Sequence, residues 1–384
     1  MLSGTFQSKS IKLNVFSMLK KIKSHRFYII FTLLVIIRLL IVLVIPLTSL
    51  HFKEYDKFNF YLYSWNRWDA PHYIYLSENW YTNFGDESNF IVFPPLFPVV
   101  IKLLNYIFNQ SIFSAMIVSN ISYLISLLII YKLLKKDFSE NTAFGVIILM
   151  SVFPTSYFFS SPYAESLFLL FVSSSFLLFR KGRYLEAGIF GGLSYLTRHF
   201  GLLILPGYLL FLLLKTKKGR LKNIVLLAMP YVFAISLYLL LNYVLFSDPL
   251  KFFKILKNHW YKDFEFPWVG IINSFKRGFV PFSQDSIFIG LSEAFASIIL
   301  WLFIPLSFVK LPIYYWVYYL LGTISATSTG FLLSTPRYIL SIFPFFLILS
   351  LIVKNLILRM ILGAIFILLL GYLTGIYLSG VWAF

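Results

Sequence analysis

Residues 111–134 read SIFSAMIVSNISYLISLLIIYKLL, and the only charge among them is Lys132. About 20 mostly apolar residues in helical form cross the hydrocarbon of a bilayer. The run is continuous rather than alternating, so it reads as a spanning helix and not as a barrel strand. Working outward, comparable windows recur at 27–49, 141–160, 164–180, 184–200, 201–215, 222–246, 287–309, 312–332, 337–353 and 356–378, which makes eleven expected spans. The composition agrees: the 384 residues are 59% hydrophobic and 12% charged, with mean hydropathy +0.81. A soluble domain carries about 25% charged residues. Soluble, disordered, collagen-like and disulfide-stapled classes are therefore excluded. The absence of cysteine removes disulfides, thiolate catalysis and Cys-ligated zinc. The expected fold class is all-α: a polytopic membrane helical bundle of about eleven transmembrane helices, forming a single domain over 1–384.

The net charge is +18, from 33 Lys and Arg against 15 Asp and Glu. These cations sit mainly between apolar runs, which is a topology signal rather than a nucleic-acid surface. The first 26 residues carry Lys9, Lys12, Lys20, Lys21, Lys23 and Arg26 and no acid, so they are expected in the cytoplasm. With eleven spans, the basic stretches 132–136, 180–183, 215–222, 310 and 354–359 fall on that same side. The outer side receives 50–110, 161–163, 248–286, 333–336 and the C-terminus. The first of these loops holds six acids against four bases. The 94–108 stretch, opened by Pro94, Pro95 and Pro98, is expected as a helix lying at the outer interface or dipping into it. No internal repeat is visible, so inverted-repeat transporter architecture gets no support.

Unusual polar residues gather in the outer loops. In Arg67-Trp68-Asp69-Ala70-Pro71-His72-Tyr73, a helix would place Asp69, His72 and Tyr73 on one face. A carboxylate and an imidazole together suit acid–base work on a lipid-borne substrate; the plain alternative is an interfacial helix with solvated charges. Tyr163-Ala164-Glu165 follows a short outer turn. Glu165 would either complement the helix dipole, or hydrogen-bond a substrate hydroxyl or orient Arg198. Arg198 and His199 lie where two apolar runs meet. An ionisable group there faces an interior cavity or snorkels to the headgroups. Gly188 and Gly192 permit close helix packing beside them. Lys251, Lys254 and Lys257 alternate with apolar residues in an interfacial pattern, ahead of His259, Trp260, Lys262 and Trp268. Arg337 opens the tenth expected span as a second buried-edge cation.

In order, RWDAPHYIYLSENWY (67–81), FPPLFP (93–98), SSPYAESLF (160–168), LTRHFGL (196–202), HWYKDFEFPW (259–268) and TPRY (335–338) resemble the GPI mannosyltransferase II (PIG-V) family of the GT-C class. Members of that class are membrane glycosyltransferases that use polyprenyl-phosphate sugars. The chain departs from the family in having His199-Phe200 before Gly201, and in Trp80-Tyr81. The resemblance implies a GT-C fold with an extracytoplasmic active site, dolichyl-phosphate mannose as donor, and inversion at the sugar carbon. It implies Asp69 as the catalytic residue, with Glu165 and Arg198 lining the site. On that basis Arg198, His199, Arg337 and Lys262 are expected to hold the donor phosphate. Arg67, Trp68, His72, Tyr163, Glu165, His259, Trp260 and Trp268 are expected to bind substrate. The expected partners are a polyprenyl-phosphate sugar, a glycan or glycolipid acceptor and membrane lipids, with no nucleic acid. No cofactor is expected: there is no multi-Asp or His-rich ligand cluster for a metal, although a divalent ion stays open. The competing class is a multi-span lipid or solute transporter, which would show a route through the bundle instead of one outward-open cavity.

Overall fold

The computed structural model describes residues 27–44, 57–216, 218–279 and 284–384. The basic segment 1–26 and residues 45–56, with the end of the expected 27–49 span and the start of the expected first outer loop, lie outside the described residues. Among the described residues the chain is helical nearly throughout, and the one β-type pairing is an isolated bridge between Phe264 and Thr329. The helices are α1 (Phe27–Leu43), α2 (Lys57–Trp65), α3 (Ala70–Asn79), α4 (Leu96–Phe108), α5 (Ser111–Leu134), α6 (Glu140–Val152), α7 (Glu165–Arg180), α8 (Tyr184–Thr197) and α9 (Ile204–Lys215). They continue with α10 (Arg220–Phe246), α11 (Lys251–Trp260), α12 (Pro267–Phe279), α13 (Gln284–Leu302), α14 (Ile304–Lys310), α15 (Ile313–Thr327), α16 (Thr335–Tyr338), α17 (Pro344–Ile352) and α18 (Leu356–Leu378).

Local chemistry sets several boundaries. The Gln110 side chain accepts the Phe113 N–H at the start of α5, Ser139 caps α6 and Asn355 caps α18. Prolines open α3, α14, α16 and α17 within their first two positions, where a missing N–H does no harm.

Every expected span contains helix, but the spans differ in kind. Among the described residues, four helices are long and apolar enough to cross a membrane by themselves: α5, α10, α18 and the α13–α14 rod. Two bent pairs bring the number to six if each counts as one span. One is the 3₁₀ turn Asp86–Val92 with α4, bent by 108°. This is the 94–108 stretch, and the sharp bend belongs to a broken or re-entrant segment. The other joins Thr335–Ser341 to α17 at 92°, so the expected 337–353 span is broken at Pro344. The expected 141–160 and 184–200 spans also stop short, at Val152 and Thr197. Helices α10 and α18 turn large apolar side chains outward, with Phe233 and Leu368 more than two-thirds exposed. Such surface needs an apolar solvent, which identifies an integral membrane protein.

The core packs α8 against α10, α5 and α8 against α7, α9 against α15, and α12 against α13. Glycine makes the first contact possible. A Cβ on Gly188 would stand 2.3 Å from the Leu227 carbonyl oxygen, and one on Gly192 would stand 2.9 Å from that of Pro230.

Candidate active site

Four charged side chains from distant parts of the chain alternate in sign along one row. Arg337 Nη1 donates to Asp69 Oδ2 at 2.6 Å, and Arg337 Nε donates to Glu165 Oε1 at 2.5 Å. Arg198 Nη1 donates to the same Glu165 oxygen. Glu165, Arg198 and Arg337 are buried, at 1%, 9% and 7% exposure. The Asp69 side chain is 25% exposed, which makes it the member that faces solvent. A buried ion pair gains little net stability once desolvation is counted. Charges gathered this way in a membrane bundle make this row the candidate functional site.

The local fold aims each of them. Asp69 stands at the N-cap of α3, and its backbone carbonyl accepts the N–H of His72 and of Tyr73. Its carboxylate makes no capping bond, which leaves it for Arg337. The preceding Trp68 has φ +57°, a left-handed conformation that costs a non-glycine residue about 1–3 kcal/mol. Tyr163 fixes this turn: its hydroxyl donates to Arg67 O at 2.8 Å and accepts from Asp69 N at 3.2 Å. The Tyr163 ring also lies under the Arg337 guanidinium, 4.5 Å from its centroid.

Glu165 is the first residue of α7. The turn before it is anchored by Arg38, which donates to Ser156 O and Ser160 Oγ, each at 2.9 Å. Arg198 leaves α8 in an extended conformation, and Gly201 lets the chain fold back onto Ser194 and Tyr195 with no room for a Cβ. Arg337 sits in the short helix α16, clamped where Thr155 Oγ1 donates to Pro336 O at 2.9 Å.

Burial opposes charge on Asp69, but Arg337, His72 and Arg198 outweigh it and hold the carboxyl below the ordinary carboxylate range. Burial lowers the His72 imidazole, with Asp69 pulling up and His259 pushing down, so His72 is neutral near pH 7. The buried Glu165 Oε2 has no hydrogen-bond partner among the described residues. The remaining N–H groups of both guanidinium groups make no hydrogen bond there either. Arg198 and Lys262 stand within 5.7 and 5.2 Å of the Tyr338 ring centroid, so a third cation joins the group. Three cations against two carboxylates leave one positive charge to meet an anion.

The other expected site residues divide. His72 packs on Phe90 and Phe93, Trp260 on the same Phe93, and His259 on Trp260. His199 does not join the row: its Nε2 is bonded to Val92 O at 3.2 Å and its ring stacks on Phe252. Arg67 turns to Leu378 O and lies beside Gly380, while Trp68 packs on Trp382. Trp268 is 57% exposed and stacks on Phe266, with no contact to the row. Two residues that the sequence reading passed over belong to the site's frame. One is Arg38, a lone cation inside the first apolar run. The other is Glu293, a carboxylate inside the apolar part of α13, which accepts the Ser334 and Thr335 N–H groups. A charge inside an apolar run was the available signal for both. Among the described residues, no three His, Asp or Glu side chains gather as metal ligands.

Comparison with known proteins agrees with this architecture. Residues 93–249 match the model of the dolichyl-phosphate-mannose-protein mannosyltransferase family. The chain is similar to the oligosaccharyltransferase of Archaeoglobus fulgidus solved with Zn and sulfate, at TM-score 0.52 and 13% identity over 90% of this chain and 53% of that one. A second structure of that enzyme, tethered to an acceptor peptide, aligns at TM-score 0.48 and 14% identity, over 92% of this chain and 55% of that one. The chain thus spans about half the length of the structures it matches. No curated protein matches it. The likeness at TM-score 0.52 shows a shared fold, the membrane-embedded all-helical fold of GT-C type.

Proposed function

We propose that the chain is an inverting GT-C glycosyltransferase that moves a sugar, mannose by the family likeness, from a polyprenyl phosphate to an acceptor hydroxyl. The observation that carries this reading is the Asp69–Arg337–Glu165–Arg198 row with Lys262 beside it. It pairs one accessible carboxylate with cations that retain uncommitted N–H groups. The leaving group of such a donor is already an anionic phosphate, so it needs positive charge rather than a proton. Arg198, Lys262 and the free Nη2 of Arg337 supply that charge. The partly apolar surroundings strengthen it and exclude water that would hydrolyse the donor.

In the reaction the acceptor oxygen attacks the anomeric carbon from the face opposite the phosphate. The bond from that carbon to the phosphate oxygen breaks, and its electron pair leaves with the phosphate. The acceptor proton passes to Asp69 and then to water. With its pKa depressed, Asp69 is a weak base that is ionised near neutral pH. It therefore serves best by orienting the hydroxyl and taking the proton late, after positive charge has built on the sugar carbon. His72, His259 and Trp260 line the acceptor side. Asp69 is held by a guanidinium rather than by further carboxylates, a donor set that does not suit a divalent cation, and no step is routed through one.

The basic connections support a cytoplasmic N-terminus and a site opening on the extracytoplasmic face. The test is transfer of label from polyprenyl-phosphate mannose, with polyprenyl-phosphate glucose alongside, into membrane lipids and glycans by the purified protein. Labelled product with inverted configuration supports the reading. Absence of both product and donor binding removes it.

A further inference from the structure

We propose that Glu293, buried in α13, is the positioning residue that fixes Arg337 between Asp69 and Glu165. This deepens the transferase reading and rests on it. Glu293 is fully buried beside Ala294 and Ala296, where a carboxylate is costly unless every lone pair finds a donor. It forms no ion pair among the described residues. Instead both of its oxygens accept backbone N–H groups, from Ser334 at 2.6 Å and Thr335 at 2.8 Å.

Those two N–H groups open the turn that carries Arg337. Ser334 is left-handed, at φ +68°, a conformation a serine adopts only under constraint. Its carbonyl in turn accepts the N–H of Arg337 at 3.0 Å and of Tyr338 at 2.9 Å. The path from the Glu293 carboxylate to the Arg337 guanidinium is therefore one helical turn, with the Thr155 clamp holding its other side. A charged acceptor makes such bonds roughly twice as strong as neutral ones. A neutral amide in its place accepts one N–H and turns its own donors toward the other. The turn then relaxes, Arg337 withdraws, and Asp69 loses its main counter-charge.

The charged and titratable groups facing Asp69 are Arg337, Arg198 and His72, with Tyr73, Tyr163 and Glu165 behind them. Those facing Glu293 are Lys262 and Arg277. Lys262 and Arg277 bond the chain just before this turn, at Leu333 O (3.4 Å) and Leu332 O (3.3 Å), and Arg337 is the member of the charged row that the turn itself carries.

The experiment compares the full-length protein in nanodiscs as wild type, Glu293→Gln and Glu293→Asp. Deuterium exchange of peptides covering 331–340 reads the cap without reference to activity. It should quicken about tenfold or more in Glu293→Gln, with peptides of α5 unchanged, and by an intermediate amount in Glu293→Asp. In the transfer assay Glu293→Gln should lower kcat about 10²-fold, the scale of an ångström displacement of a catalytic group. The acid limb of its pH profile should move to higher pH, and Glu293→Asp should restore part of both. If Glu293→Gln does not fold, Glu293→Asp alone carries the same readouts. Unchanged exchange at 331–340, or lowered activity with an unmoved acid limb, overturns the proposal. A wild-type protein that transfers no sugar overturns the transferase reading instead, and the exchange result still decides whether Glu293 fixes this turn.

Discussion

Arg337 and Asp69 stand 268 residues apart in the chain, and a 2.6 Å hydrogen bond joins them at the open end of a buried row of charges. Arg337 is shared with Glu165, and Glu165 is shared with Arg198, so a change at any member alters the charge felt by the others.

The first consequence is a pH dependence. Burial raises the Asp69 pKa, but Arg337, His72 and Arg198 together outweigh it, and the folded-state value lies below the unfolded one. Asp69 therefore contributes stability above the unfolded carboxylate pKa, about 3.9, and that contribution is lost as pH falls through the lower folded value. The acid limb of kcat/KM should lie below pH 4 for the wild type. It should move upward in Arg337→Gln as far as residual activity can be followed, because the main opposing charge is gone. An acid limb in the ordinary carboxylate range for the wild type would contradict this assignment.

Replacing Arg337 should also separate shape from charge. Lysine keeps the charge but is a single ammonium and cannot reproduce the fork that reaches Asp69 and Glu165 together. Arg337→Lys should lose about 10²-fold or more in turnover while remaining folded. Arg337→Gln leaves two carboxylates facing one buried cation and should lose about 3–5 kcal/mol of stability as well. Thermal unfolding beside turnover measures both. Equal activity in Arg337→Lys would show that the fork is not needed.

The packing of α8 on α10 makes a prediction that does not touch the site. Gly188→Val would drive its side chain into the Leu227 carbonyl and should destabilise the bundle by about 1–3 kcal/mol. Gly363 has open space where its Cβ would go, and Gly363→Ala should leave the melting temperature unchanged or raise it slightly. Similar melting temperatures for Gly188→Val and wild type would remove the close-contact explanation for this glycine.

Much of the fold was legible because apolar runs translate directly into helices. The expected 111–134 and 356–378 coincide with α5 and α18, and 222–246 lies within α10. The expected 337–353 span is bent by 92° at a local feature, the 3₁₀ turn Ile339–Ser341 followed by Pro344, and average hydropathy does not register a bend. The site was legible as residue types and not as partners. Asp69, Glu165, Arg198 and Arg337 each stood out as charges near apolar runs, but which cation meets which carboxylate depends on tertiary packing. His199 shows the limit. It neighbours Arg198 in sequence, yet the extended Arg198 backbone, with φ −153° and ψ 141°, sends the two side chains to different surroundings. Glu293 was visible as a charge inside an apolar run, but its partners were not, because they are backbone N–H groups that no residue pattern marks.

The most direct measurement is single-turnover sugar transfer from polyprenyl-phosphate mannose by wild type and Asp69→Asn in identical nanodiscs, with donor binding measured in parallel. Asn keeps the size of the side chain and removes its charge and its ability to take a proton. Asp69→Asn should bind donor within a few-fold of wild type, stay folded, and transfer about 10²–10⁴-fold more slowly. Transfer by Asp69→Asn at the wild-type rate would contradict the central claim that this carboxylate acts on the acceptor.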